Sequence, residues 1–214
     1  TLLLRISAAP NTVKEYTGGM PVKIAKVMEM LQEMPDQIIA IGVRHKKVVD
    51  AYSAAIRKLM PERPLFVVTG DTTTLAQRRK LRKTLKASGN GILLCTQQSL
   101  PSSVNFEFVN KVIIPELHYN NSRMSQFYMR FVRYTSREDK DIYFVTYLGS
   151  IESNQMQMVL AKEKINLFMR GQEQDLDDIY KTFGVDYNLL ETLMRREENS
   201  EGVFEIRWGK QDIS

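Results

Sequence analysis

Gln37-Ile38-Ile39-Ala40-Ile41-Gly42-Val43 is apolar at every position after its first, and the charged pair Arg44-His45 follows at once. A strand with one wet face alternates apolar with polar residues. A run that never alternates is covered on both faces, as in parallel sheets. Four further runs share this character: Leu65-Phe66-Val67-Val68, Gly91-Ile92-Leu93-Leu94-Cys95, Lys111-Val112-Ile113-Ile114 and Ile142-Tyr143-Phe144-Val145-Thr146-Tyr147. Helical spacing fills the gaps between them. Val48, Val49, Tyr52, Ala55, Ile56 and Leu59 recur on one face, and the two prolines of 61–64 stop that helix. A basic, leucine-bearing helix is predicted over 75–85, ahead of the turn Ser88-Gly89-Asn90-Gly91, and another over 122–132. Upstream, 22–34 places Ile24, Val27, Met28 and Leu31 on one face. Alternating helix and strand predicts an α/β fold, a doubly wound parallel sheet flanked by helices.

Outward from this core the pattern changes. Residues 1–20 have no clear period and contain Pro10 and Gly18-Gly19, which reads as a linker or leading arm. After Glu152 the reading is helical over 153–169, 174–182 and 187–197, and the alternation of 203–208 suits an edge strand. The expected organisation is therefore an arm (1–20), an α/β lobe (21–169) and a helical extension (170–214).

Composition narrows the class. Of 214 residues 43% are hydrophobic and 26% charged, too rich in apolar residues for wholesale disorder. The apolar start Leu2 to Leu4 is too short for a signal peptide or a membrane span. The single cysteine, Cys95, lies in an apolar run and reads as a buried free thiol, which points to an intracellular setting with no membrane partner. A formal charge of +5 permits a polyanionic partner without specifying one. The chain opens on Thr1, so a longer parent is expected.

Most self-sufficient chemistry is absent from the sequence. No G-x-x-x-x-G-K followed by serine or threonine is present to cradle a triphosphate. Two histidines, His45 and His118, have no metal-ligand spacing with Cys95, so no metal site is expected. Asp175, Asp177 and Asp178 suit the acid-rich start of a helix better than a metal cage. The basic run Arg78 to Lys83 reads first as a solvated helix face. What remains is polar content just after the buried strands, where open α/β sheets bind ligands: Arg44 and His45, Thr69-Gly70-Asp71, Thr96-Gln97-Gln98-Ser99, and 116–121. Gln126, Arg130 and Arg133 follow at i, i+4, i+7, the spacing of one helical face. Paired guanidinium groups on such a face suit a phosphate.

The segment Gln126-Phe127-Tyr128-Met129-Arg130-Phe131-Val132-Arg133 resembles the Q-x-x-G-R-x-x-R motif of superfamily-two helicases. Counted backward without a gap, Glu116 to Asn121 falls on the D-P-W-W-N-P box of their Swi/Snf-type branch. Asn105 falls on the asparagine of S-x-x-x-G-G-x-G-L-N, with Thr96 at its opening hydroxyl. Gly149-Ser150-Ile151-Glu152 resembles G-T-I-E, and Gly70-Asp71-Thr72 with Arg78 resembles the G-x-T…R segment. Lys23 to Leu31 resembles the K-x-x-x-L-x-x-L-L opening helix. The resemblance spans about 20–170 and implies a RecA-like helicase C-terminal lobe whose N-terminal partner lobe carries most of the site for ATP and Mg.

The resemblance assigns roles. Arg133 would be the arginine finger on the γ-phosphate, Arg130 would assist it or hold the motif to the facing lobe, and Gln126 would orient both. Thr96, Gln97, Gln98 and Asn105 would line a nucleic-acid track, DNA (duplex or single-stranded) or RNA. Arg44, His45, Thr69, Gly70 and Thr72 would touch its phosphates. Departures are plain: Leu100, Pro101, Ser103 and Met129 replace family glycines, and Thr135-Ser136 replaces G-Q. Glycine lets backbone approach phosphate closely. A non-catalytic DNA-binding or docking module is therefore the alternative reading, with an unrelated doubly wound enzyme third.

Overall fold

The computed structural model describes residues 2–70, 74–100, 105–118, 121–132 and 138–150, together with Glu152, Gln155, Met156, Val159, 195–198 and 204–207. The chain divides into two compact units, one of residues 1–118 and 122–146, the other of residues 119–121 and 147–214.

The first unit is built on five strands: β1 (Ile39–Val43), β2 (Leu65–Val68), β3 (Ile92–Thr96), β4 (Lys111–Ile114) and β5 (Asp141–Phe144). They stand in the order β2-β3-β1-β4-β5, and every pairing is parallel. Each coincides with an apolar run, so the absence of alternation did report a sheet covered on both sides. The last run is shortened, because β5 ends at Phe144.

Register separates the two faces. Ile41 pairs with Leu94 and Ile113, and Gly42 pairs with Cys95. Ile39, Ile41, Val43, Ile92, Leu94 and Ile113 therefore share one face, and they join a single buried cluster with α2 (Val22–Glu33) and α3 (Lys46–Leu59). Burying each such side chain is worth about 1.5–3 kcal/mol. Ala8 and Ala9, both fully buried, belong to the same cluster. Ala8 closes α1 (Leu2–Ala8) and Ala9 precedes a turn of 3₁₀ helix (Pro10–Thr12), so the stretch expected to be an arm contains a docked helix. Seven residues are too few to display a period, and the small Ala8-Ala9 pair lets the backbone approach the core closely.

The other face carries α4 (Leu75–Ser88) and α5 (Asn121–Tyr128). A Cβ placed on Gly42 would stand 2.3 Å from the Phe127 ring, so that ring occupies the place a side chain would need. Phe127 and Phe131 meet edge to face at 5.3 Å between centroids, and Phe131 lies 6.1 Å from Phe106. α4 opens on a capping box, Gln77 N donating to Thr74 Oγ1 (3.3 Å) and Thr74 N to Gln77 Oε1 (2.7 Å). Gly89, at φ 73°, ends it in a conformation other residues rarely adopt.

The helix expected over 122–132 stops at Tyr128. Beyond it Arg130 N donates to Phe127 O (3.2 Å) and Phe131 N to Tyr128 O (2.9 Å), three-residue turns that tighten the chain and keep Phe131 against its aromatic neighbours.

In the second unit Glu152, Gln155, Met156 and Val159 are helical and buried, at the spacing of one helix face, within the expected helix of 153–169 or at its edge. β6 (Arg195–Glu198) and β7 (Phe204–Arg207) pair antiparallel. The alternating tail is thus one strand of a two-stranded ribbon. The helix expected over 187–197 gives way to strand at 195–197, since pairing with β7 satisfies the backbone groups that local propensity alone would have left to a helix. The expected helix at 174–182 lies outside the described residues. The second compact unit takes in the chain from Tyr147 onward. Among the described residues no helix is long and apolar enough to cross a membrane.

Candidate nucleic-acid interface

β1 and β4 are neighbours, yet the chain leaves them in opposite directions. After β1 it runs into α3 on one face of the sheet, and after β4 into α5 on the other. Diverging exits open a crevice beyond the carboxyl ends, the position where open α/β sheets take their ligands.

A buried carboxylate organises this crevice. Glu116 is 1% exposed, and its Oε2 accepts from the backbone N–H of Arg44 (2.6 Å) and of His45 (3.2 Å). Its Oε1 is bonded to His45 Nδ1. The first turn of α3 contains no acidic residue and its N-cap, His45, makes no side-chain cap. Glu116 supplies from β4 the negative charge that the helix start lacks. A buried carboxylate is tolerable only when several donors surround it, and here three do.

Gln97 braces the floor. Its backbone N–H donates to Val43 O (2.8 Å), and its side-chain Nε2 donates to Gly42 O (3.2 Å) and Glu116 O (2.7 Å). At 3% exposure it joins the ends of β1, β3 and β4 rather than lining an open track. The ends of parallel strands leave carbonyls without ladder partners, and a long amide is suited to satisfy two at once. Gln98 beside it is exposed. Thr96 Oγ1 is bonded to Ser99 Oγ, and Ser99 Oγ would lie 3.6 Å from a Cβ on Gly70. The structure therefore brings Thr96, Ser99 and Gly70 together, with Thr69 buried next to them in sequence. Thr72 lies outside the described residues.

Positive charge gathers at the same strand exits. Arg44 Nη1 donates to Leu117 O (3.4 Å). His118 is held below the usual imidazole range, first by burial and then by the charges of Arg44 and Arg123. That coupling puts Arg44, His118 and Arg123 in one electropositive neighbourhood, and Lys46 and Lys47 are exposed on the first turn of α3. Lys23, almost fully buried on α2, donates to Pro115 O (3.2 Å) and fastens the opening helix beneath the same exit.

Of the three residues spaced for one helical face, Gln126 lies on α5 and Arg130 beyond its end. Gln126 is exposed on α5, whereas Arg130 follows the helix and has Nε and Nη1 out of solvent. Burial pushes the Cys95 thiol far up, and the Arg130 charge partly offsets it, so that guanidinium sits inward beside β3. Arg133 lies outside the described residues. Asn105 is not brought to the crevice. Its Oδ1 accepts from Glu107 N (2.8 Å) and its carbonyl accepts from Arg82 Nε, while the Arg82 guanidinium stands 5.5 Å from the Phe108 ring.

The sequence reading includes Glu116 among the strand exits but gives it no role, and it gives none to Arg123 or Ser99. A lone carboxylate directly after a buried strand was the available signal for Glu116. Nothing in local spacing marks Arg123. Among the described residues no cluster of three or more His, Cys, Asp or Glu side chains could hold a metal ion.

No family model and no curated protein matches this chain. Solved structures do. The C-terminal part of the Fun30 ATPase domain is 18% identical with a TM-score of 0.57, over 70% of this chain and 50% of that one. Domain 2 of the DEAD-box helicase Mss116p, bound to an RNA duplex, is 16% identical with a TM-score of 0.53, over 65% and 53%. The Sulfolobus solfataricus SWI2/SNF2 ATPase core, in complex with dsDNA, is 16% identical with a TM-score of 0.62, over 87% and 41%. This chain thus spans about half or less of each. Its fold is that of a RecA-like helicase C-terminal lobe.

Proposed function

We propose that this chain is the second motor lobe of an ATP-dependent DNA helicase or translocase, holding the nucleic-acid backbone at the carboxyl ends of β1 and β4. The observation that carries this reading is the crevice itself, where one buried acid holds Arg44 N and His45 and the charges of Arg44 and Arg123 bear on His118. Cations and backbone N–H groups at strand ends position a phosphate chain without reading its sequence. The solved structures of like fold that carry a dsDNA or an RNA duplex support the same choice of ligand. In this reading ATP and Mg sit mainly on a preceding lobe, and Arg133 reaches across to the γ-phosphate when the cleft closes. Arg130, turned inward, holds the finger segment to its own sheet. The lobe alone hydrolyses nothing appreciable.

The test uses the two-lobed parent. Arg133→Ala should lower DNA-stimulated turnover by about 10³-fold, the scale of an arginine finger, with DNA affinity within a few-fold of the parent. Turnover retained within a few-fold would remove the assignment.

The internal engagement of Gln97 and Asn105 favours a second reading, a DNA-binding or docking module without motor activity. A parent that binds DNA yet shows no DNA-stimulated ATP hydrolysis would select it.

A further inference from the structure

We propose that Glu116 is a positioning residue that fixes the tautomer of His45, so that His45 holds a nucleic-acid phosphate only as the imidazolium and binding takes up a proton. The inference rests on the nucleic-acid reading of the crevice and specifies its chemistry.

Glu116 already accepts two backbone N–H groups and is buried as a carboxylate, so it can only accept from the imidazole. Nδ1 of His45 must therefore carry a hydrogen, whatever the charge of the ring. Every change of protonation then falls on Nε2, on the far side of the ring. Nε2 has no hydrogen-bond partner among the described residues, and the His45 side chain is 30% exposed. In the neutral ring Nε2 is a bare lone pair, which repels a phosphate oxygen. In the charged ring it is an N–H donor and a full positive charge. A histidine with both tautomers free could turn a neutral N–H toward phosphate, and Glu116 removes that option.

The surroundings favour the anion in the charged state. Arg44 precedes His45, Lys46 and Lys47 follow it on α3, Arg123 comes from α5 and His118 from the β4 exit, with Glu116 the facing acid. Imidazole changes charge between about pH 5 and 8, where the arginines and lysines do not. His118, held toward its neutral form, contributes little in that range.

The experiment measures binding of this chain to a fluorescein-labelled DNA duplex by anisotropy, from pH 5.5 to 8.5 at fixed salt. Affinity should fall about three- to tenfold as the pH rises, with one proton linked to binding. His45→Gln, which keeps an N–H donor but cannot titrate, should bind with a flat profile. Glu116→Gln should weaken binding at low pH by loosening the 44–45 backbone and stripping the imidazolium of its counter-charge. His45 is half-buried and Gln keeps an N–H donor for Glu116, so its profile stands even if Glu116→Gln fails to fold. No binding at any pH would overturn both the nucleic-acid reading and this inference. Tight binding with the same pH profile in the parent and His45→Gln would overturn this inference alone.

Discussion

The two rims of the sheet use charge in opposite ways. At the amino rim three cations are bonded to groups of the fold itself. Arg63 donates through Nε to Asn90 O (2.8 Å) and through its Nη atoms to Leu31 O, Met34 O (2.9 Å) and Gln37 O (2.8 Å). One guanidinium thereby ties the end of α2 to the starts of β1 and β3, and its burial lowers its affinity for the proton. Lys140 is bonded to Glu107 O and Asn110, and Lys111 to Asp141. At the carboxyl rim one buried acid holds Arg44 N and His45, and the charges of Arg44 and Arg123 bear on His118. A rim whose cations are matched by its own carbonyls and acids stabilises the fold. At the carboxyl rim the charged side chains gather at the exits of β1 and β4, where open α/β sheets take their ligands.

Three substitutions sharpen this contrast, in decreasing size. Arg63→Ala leaves four carbonyls short of a charged donor and should cost about 2–4 kcal/mol, read as a lower urea midpoint. DNA affinity of the folded fraction, measured in the cold, should not change. Arg44→Ala should do the reverse. The urea midpoint should hold within about 0.5 kcal/mol, because the backbone N–H that Glu116 accepts remains. Duplex binding should weaken roughly fivefold and its salt slope should drop by about one, the signature of one lost phosphate contact. Asp141→Asn should matter least, under about 0.5 kcal/mol, since its side chain is 48% exposed and screened. Lys111 holds the Asp141 carboxyl below its ordinary value of 3.8. Whatever stability the pair adds is therefore complete above that value and fades as the pH falls through the lower, folded one. A loss of DNA binding in Arg63→Ala, or of stability in Arg44→Ala, would erase the division between the rims.

Much of the scaffold was legible because burial on both faces leaves a continuous apolar mark in the sequence. All five strands of the parallel sheet coincide with such marks, and α2, α3 and α4 with helical periods. Pairings across the fold leave no such trace. Ala8 and Ala9 look like any small pair until a core closes on them. Arg195 to Glu198 looks helical until Phe204 to Arg207 lies alongside. The site shows the same limit. The polar exits of β1, β3 and β4 were readable from position alone. That Glu116 would hold Arg44 and His45, while Gln97 turned inward, depended on residues far away in sequence.

Gln97 has a mechanical consequence. Because one amide grips carbonyls at the exits of both β1 and β4, while its own backbone extends the β3 ladder, three strand tips are riveted into a single plate. Under the proposed function, a pull on a polymer gripped at His45 would not be absorbed by bending one loop. It would be delivered to the whole sheet, which is what a lever needs from its point of attachment.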